Sequence, residues 1–154
     1  MKIYTIDQTQ TLPIPREQAW NFFSNPANLE DITPSWLKFR ILSDAGEEIY
    51  PGMLIKYRVS AIANIPMNWV TEITQAEREK YFIDEQRFGP YKFWHHQHHF
   101  RAVENGVEIR DIVNYALPFG IFGRLAHAVK VKGQLQEIFE FRRQFLEEKF
   151  GEKP

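Results

Sequence analysis

Four histidines stand within one short stretch of the chain, at positions 95, 96, 98 and 99. Imidazole changes its charge near neutral pH, so such a run could bind a metal ion, carry a proton or orient a polar ligand. The surrounding segment, Tyr91 to Val103, reads as a strand. Side chains alternate between the faces of a strand, so His96 and His98 share one face. His95 and His99 lie on the other face, where we expect them to be solvated.

A hairpin signal, Asn105-Gly106, follows the histidine strand and predicts its partner, Val107 to Leu117. If these two residues form a type I′ turn, Glu104 pairs with Val107 and the register of both strands is set. The face that holds His98 then collects mostly aromatic and apolar side chains: Trp94, His96, Phe100, Asp111, Val113, Tyr115 and Leu117. We therefore expect this face to point into the protein.

Asp111 is the carboxylate on that inward face, and the predicted register places it opposite Phe100. His98 would be its diagonal neighbour, at a distance of roughly 7–8 Å. A buried carboxylate needs partners, because an unpaired buried charge costs several kcal/mol or shifts its pKa. His96, His98 and Tyr115 are the candidate partners.

These residues leave three interpretations open. The first is a structural polar network that fixes the sheet register. The second is the polar end of an apolar ligand cavity. The third is a metal site or a general acid–base centre, for which His96, His98 and Asp111 are weak catalytic candidates. No fourth ligand is evident, so we predict neither a metal nor a cofactor.

The segment Ile121 to Phe150 must cover this face of the sheet. Its apolar residues recur every three or four positions, as in one face of a helix about 43 Å long. They are Ile121, Leu125, Ala128, Val131, Leu135, Ile138 and Phe145. Only a long sheet can bury so long a stripe, so we expect the preceding strands to wrap around this helix.

The rest of the chain supplies an opening strand, two short helices and further strands. The short helices are predicted at Arg16–Phe23 and Pro26–Asp31. The strands are predicted at Lys2–Leu12, Leu37–Leu42, Met53–Ser60, Met67–Thr74 and Tyr81–Arg87, before the histidine hairpin.

Two strands have an ambiguous facing. In one, either the set with Met67 and Trp69 points inward or the set with Asn68 does, and the aromatic set is the better choice. In the other, Phe82, Asp84 and Gln86 share one face, and neither face is favoured.

Composition excludes several classes of protein. The 154 residues are predicted to form one domain, 1–154, and the 19 basic and 20 acidic side chains contain no footprint for nucleic acid. The chain has no cysteine, hence no disulfide framework and no thiolate nucleophile. No stretch approaches a signal-peptide core or the roughly 20 apolar residues of a membrane span. We expect a cytoplasmic protein with no integral membrane segment.

The order of elements resembles the helix-grip fold of the START-like, polyketide-cyclase-like (SRPBCC) superfamily, which includes the birch-pollen-allergen proteins. Local runs are also similar to those of small bacterial members: Asp84-Glu85-Gln86, Gly89-Pro90-Tyr91, Trp94-x-His96-x-His98-x-Phe100 and Asp111-x-Val113-x-Tyr115-x-Leu117-Pro118. The resemblance implies an α+β fold in which a curved seven-stranded antiparallel sheet grips the C-terminal helix, with a cavity between them. Members bind lipids, hormones or polyketides, and only some are enzymes.

The leading prediction is that the protein binds a small, largely apolar molecule between sheet and helix, without catalysis. The alternatives are a cyclase- or dehydratase-type enzyme with His96 or His98 as general base, and a protein-interaction module. The predicted ligand-binding residues are Tyr57, Trp69, Phe82, Trp94, His96, His98, Phe100, Asp111, Val113, Tyr115, Leu125, Val131 and Leu135.

Overall fold

The computed structural model describes residues 1–44, 46, 48–62 and 64–151. Within them, one curved antiparallel sheet has the strand order β1-β7-β6-β5-β4-β3-β2. Its strands are Tyr4–Leu12 (β1), Arg40–Ile41 (β2), Leu54–Ile62 (β3), Ile65–Glu77 (β4), Tyr81–Phe88 (β5), Phe93–Val103 (β6) and Gly106–Ala116 (β7). The helices are Arg16–Phe23 (α1), Gly120–Ala126 (α2) and Lys132–Phe150 (α3), with a π-helical turn, His127–Val131, between the last two. This confirms the predicted helix-grip architecture.

The connection between β1 and β3 differs in detail from the prediction. The expected helix at Pro26–Asp31 is a shorter 3-10 helix, Pro26–Leu29, whose Asn25 side chain accepts a hydrogen bond from the Ala27 N–H. A further 3-10 turn occupies Ser35–Leu37, so the strand expected at Leu37–Leu42 is only two residues long.

The hairpin after the histidine strand is shifted from its predicted register. Val103 pairs with Gly106, so Glu104 and Asn105 form the loop and His98 lies directly opposite Asp111. The predicted Phe100–Asp111 pair is therefore wrong. A Cβ at Gly106 would lie 2.0 Å from the carbonyl oxygen of Leu12, and the φ of this residue is 152°, so both the neighbouring strand and the backbone after the loop favour glycine here. The shift is two residues, which leaves every side chain on its predicted face.

The inward face of both ambiguous strands is now assigned: it carries Trp69 in β4 and Phe82 in β5. Trp69, Thr71 and Ile73 of β4 are buried, and so is Phe82 of β5. Asp84 follows Phe82 on the same face, because strand side chains alternate.

The long C-terminal helix buries a different stripe in its first half from the one predicted. Ile121, Leu125 and Ala128 are exposed, whereas Gly123 and His127 face the sheet. A Cβ at Gly123 would lie 2.0 Å from the carbonyl oxygen of Pro118, so the helix approaches the preceding turn through a glycine. The expected inward orientation of Leu125 is wrong for this reason.

The second half of the helix packs through Leu135 as predicted, and through Phe139 and Leu146, which directly follow the half-buried Ile138 and Phe145 of the predicted stripe. Leu135 and Phe139 form one cluster with Val113 and Tyr115, while Leu146 joins a larger cluster around α1. Asp84 of β5, His96 and His98 of β6 and Asp111 of β7 lie on the same inner face of the sheet as both clusters.

Candidate ligand-binding site

A cavity of about 130 Å³ lies on the inner face of the sheet, below the C-terminal helix. Aromatic rings form much of its wall. The indole of Trp69 stacks on Tyr57, with ring centroids 5.5 Å apart, and meets Trp94 edge-on at 5.3 Å. The phenyl ring of Phe82 lies parallel to the His98 imidazole at 4.0 Å. The wall is therefore suited to a flat, apolar molecule.

Asp84, His96 and His98 form another part of the wall, and Asp111 lies behind the two histidines, so that β5, β6 and β7 together contribute a cluster of two histidines and two aspartates. His98 Nε2 lies 2.6 Å from Asp84 Oδ2, and His96 Nε2 lies 3.0 Å from Asp111 Oδ1. His96 Nδ1 is 3.6 Å from Asp84 Oδ2. His98 Nδ1 is 3.0 Å from Asp111 Oδ1, but the two are poorly aligned, so we describe this as a charge contact.

The two imidazoles of this cluster hold protons differently. Burial lowers the pKa of His96 and the charge of His98 lowers it further, against the opposing effect of the two carboxylates. Burial also opposes protonation of His98, but its contacts with Asp111 and Asp84 outweigh it, and the pKa of His98 is raised. The cluster therefore favours a protonated His98 beside a neutral His96.

The carboxylates stay ionised although both are almost fully enclosed. Burial would raise the pKa of Asp84, but its interactions with His96 and His98 bring it below its usual value. Burial acts on Asp111 in the same way, and its contacts with both histidines bring its pKa well below the usual range. A carboxylate accepts hydrogen bonds and cannot donate them, so His96 carries its proton on Nε2 and leaves Nδ1 unprotonated.

Besides His98 Nδ1, two buried donors in the cavity wall have no hydrogen-bond partner among the described residues. They are Nε1 of the Trp69 indole and Nε of the Arg142 guanidinium. Arg142 comes from α3, and its guanidinium carbon lies 5.1 Å from the centre of the Phe139 ring. A buried donor without an acceptor costs free energy, so these atoms are places where a bound acceptor would be stabilising.

A protein-family model described as polyketide cyclase / dehydrase and lipid transport matches residues 12–139. The match covers most of the sheet, more than half of the C-terminal helix and the cavity wall except Arg142. The chain belongs to this family. No curated protein matches its sequence significantly.

Solved structures have the same fold at low sequence identity. Protein CV1439 from Chromobacterium violaceum is 11% identical, with a TM-score of 0.73 over 97% of this chain and 99% of that one. The major latex-like protein 151 of Panax ginseng is 14% identical, with a TM-score of 0.68 over 96% and 97% of the two chains. A point mutant of Thalictrum norcoclaurine synthase, solved with a transition-state analogue, is 14% identical, with a TM-score of 0.64 over 96% and 97%.

Family and fold together indicate a protein that binds a hydrophobic ligand. Across the described residues, no helix combines the length and the apolar character that crossing a bilayer requires.

The predicted site residues divide into three groups. Those that line the cavity are Tyr57, Trp69, Phe82, Trp94, His96 and His98. Those that are buried beside it in the core, or behind the histidines, are Phe100, Asp111, Val113, Tyr115 and Leu135. Val131 is half-buried next to a much smaller cavity, and Leu125 is 64% exposed.

Tyr115 does not join the histidine–aspartate cluster as expected. Its hydroxyl lies 2.8 Å from Nε2 of His127, and the His127 ring stacks on Tyr4 at a centroid distance of 3.5 Å. This hydrogen bond turns the hydroxyl away from Asp111 and toward the start of the long helix.

Two polar residues of the cavity wall, Asp84 and Arg142, are absent from the predicted site. The sequence does not assign Asp84 to the site, because either face of its strand could point inward. Arg142 interrupts the apolar stripe of the helix, and such a charge inside a stripe was the signal that could have identified it.

Asp84, His96 and His98 could together hold a metal ion, because their ligand atoms all lie within 4.8 Å of one another. Asp111 would then support both imidazoles from behind, as outer carboxylates do in metal sites. A cation would have to displace the proton that His98 shares with two carboxylates. The absence of a metal requirement stays a prediction.

Proposed function

We propose that the protein binds a small, largely apolar molecule that carries a hydrogen-bond acceptor, such as a carbonyl or carboxylate group, without transforming it. The observation that carries this proposal is that Trp69 and Arg142 of the cavity wall each have a buried donor without a hydrogen-bond partner among the described residues. The ring of the ligand would pack on the aromatic wall, and its acceptor would take one or both donors.

The size of the cavity supports a ligand of about one ring. An apolar cavity of about 150 Å³ in another protein is known to hold benzene. The cavity here measures about 130 Å³. A ligand with more than one ring would require the helix or the 3-10 segments to move away from the sheet.

Charge in the site supports an acceptor rather than a further cation. The two carboxylates are already engaged by His96 and His98, whereas Arg142 has no ion pair among the described residues. A group that accepts hydrogen bonds would complete the contacts of the guanidinium, which binds carbonyl and carboxylate oxygens well.

The test compares two probes of similar shape, acetophenone and cumene, of which only the first has an acceptor. Binding is followed by the fluorescence of the cavity tryptophans and by ligand-detected NMR. Acetophenone should bind more tightly than cumene. Arg142→Met should weaken acetophenone binding by about tenfold or more, because hydrogen bonds to charged groups contribute roughly 1.5–3 kcal/mol, and should leave cumene binding unchanged.

Arg58→Met is the matched control, since Arg58 is an exposed arginine of β3. Its affinities should equal those of the unmodified protein, with or without a chelator. Absence of saturable binding by both probes would reject the ligand-binding proposal. Equal affinity for the two probes would reject the acceptor, and loss of binding in chelator with recovery in zinc would replace the proposal by a metal site.

A second function, proton abstraction next to a carbonyl, is supported by the state of His96. This imidazole is neutral, is oriented by Asp111 at 3.0 Å, and has an unprotonated Nδ1. A positioned general base contributes about 10²- to 10⁴-fold to such a reaction. The experiment is the exchange of the methyl protons of acetophenone in D₂O. Exchange that is accelerated by the protein and lost in His96→Gln would make the protein an enzyme, and exchange at the buffer rate would favour binding alone.

A further inference from the structure

We infer that the first turns of the long helix dock on an anionic phospholipid bilayer. The surface, which we call the helix-start patch, consists of Phe119, Ile121, Phe122, Leu125 and Val129. It is separate from the cavity, since none of these residues lines the cavity wall. The inference therefore does not depend on the proposed ligand.

The patch is exposed far beyond what isolated surface residues require. Its five side chains are between 64% and 82% exposed, and all fall within eleven consecutive residues. Contiguous apolar surface of this kind commonly marks a site of contact with a partner or a membrane.

The position of the patch follows from how the helix is seated. Gly123 and His127 occupy the face toward the sheet, through a close approach to Pro118 and a hydrogen bond to Tyr115. Leu125 lies between them in sequence and must therefore point outward, about opposite to that face. Phe119, which precedes the helix, has a left-handed backbone with φ of 67° and is 82% exposed. The fold thus presents these side chains instead of covering them.

The charges around the patch indicate what binds there. From residue 112 to residue 136 the chain has no acidic side chain, and it has three cations, Arg124, Lys130 and Lys132. None of the three forms an ion pair within the described part of the chain. Apolar side chains flanked by cations are typical of a helix that lies in the interface of an anionic membrane.

An open cleft of about 690 Å³ borders the patch and adds to this charge. It lies between β1 and the helix, and Lys2, Arg124 and Lys132 contribute to its wall. The acid in the same wall, Asp7, is held by Arg110 through two hydrogen bonds of 2.8 and 2.6 Å. The cleft therefore presents cations where the phosphate groups of a bilayer would lie when the patch is inserted.

The experiment is co-sedimentation of the purified protein with vesicles of phosphatidylcholine, alone or mixed with phosphatidylglycerol. Binding is expected with the mixed vesicles, weaker at high salt because screening reduces the attraction, and much weaker with pure phosphatidylcholine. Arg124→Gln with Lys132→Gln should weaken binding by about 25-fold, at about fivefold for each cation near the surface. Phe122→Gln with Leu125→Gln should weaken it by at least about tenfold.

The controls alter the same residue types elsewhere. Phe88 is 65% exposed on β5, and Lys56 is exposed on β3, so Phe88→Gln and Lys56→Gln should sediment like the unmodified protein. All variants should keep the unmodified thermal midpoint, because every altered side chain is exposed. Failure to sediment with either vesicle overturns the inference, and so does equal loss in control and patch variants. A dimer in solution that Leu125→Gln dissociates, without vesicle binding, would instead assign the patch to a second copy of the chain.

Discussion

His96 and His98 are next to each other on one strand face, with ring centroids 3.7 Å apart, yet their pKa values shift in opposite directions. Both are 5% exposed, so burial does not distinguish them. The difference lies in their contacts, since His98 reaches a carboxylate at 2.6 Å and another at 3.0 Å, whereas His96 has one at 3.0 Å and one at 3.6 Å. Once His98 carries the charge, a second proton on its neighbour is disfavoured. The cluster thus holds one imidazolium between two carboxylates.

His98→Gln should remove a pH dependence of stability that begins above about pH 6.5, the unfolded pKa of histidine. The folded pKa of His98 is raised, so its stabilising effect is complete below its unfolded value of about 6.5 and is lost as the pH rises through the folded pKa. The free energy of unfolding should fall over this window in the unmodified protein, by at most about 1.4 kcal/mol per pH unit. Denaturant unfolding at a series of pH values measures it.

His99→Gln is the control, because the pKa of His99 is lowered in the folded protein. Its effect on stability therefore falls below the unfolded pKa of about 6.5. His96 acts in that lower window too, where stability should decrease as the pH falls below about 6.5. A His98→Gln variant that keeps the same decline above that pH would contradict the assignment of the proton to His98.

Most of this cluster could be predicted from alternation along two paired strands, β6 and β7. Inward His96, His98 and Asp111 follow from the period of two, and they survive a two-residue error in register because such a shift preserves the faces. Asp84 could not be assigned, since both faces of its strand carry a mixture of polar and apolar side chains. The inward orientation of Asp84 depends on its contact with His98, a residue 14 positions away.

At the scale of elements, the long helix shows what a periodic pattern can predict and what it cannot. Its existence follows from the three- and four-residue spacing of apolar side chains. The spacing also fits two overlapping stripes near the start of the helix, one with Ile121 and Leu125 and the other with Gly123 and His127. Contacts with Pro118 and Tyr115 select the second. A sequence pattern cannot rank a glycine and a histidine above two aliphatic residues, because the reason lies in tertiary contacts.

Leu135→Ala and Leu125→Ala should therefore have very different effects on stability, although both belong to the predicted stripe. Leu135 is 3% exposed and packs in the cluster around Phe139, so its truncation should cost about 2–5 kcal/mol. Leu125 is mostly exposed, and its truncation should change the free energy of unfolding by no more than about 0.5 kcal/mol. Denaturant midpoints of the two variants are the measurement. Similar losses in both would mean that the first half of the helix is packed on the sheet after all.

At the scale of the whole molecule, the cavity joins parts of the chain that are far apart in sequence. Its wall includes Pro26 and Phe39 from the segment between β1 and β3, Trp69 and His96 from the sheet, and Arg142 from α3. The fold was predictable because the order of elements is specific to it. The set of polar residues around the cavity could not be predicted, since Arg142 comes to the same cavity as Asp84 and Trp69 only when the helix packs across the sheet.

Occupation of the cavity should therefore stabilise the whole fold and not one element. Acetophenone at about 100 times its dissociation constant should raise the free energy of unfolding by about 2.7 kcal/mol, if it binds the folded state alone.

Amide hydrogen exchange should slow around Trp69 in β4 and Arg142 in α3, because both border the ligand. Exchange at Leu125 should slow less, since that residue does not border the cavity. Arg142→Met at the same probe concentration should show a smaller shift that follows its weaker affinity, and Arg58→Met should show the full one. A midpoint that acetophenone leaves unmoved, or protection confined to the helix-start patch, would mean that the molecule binds at the surface and that the cavity is only a packing gap.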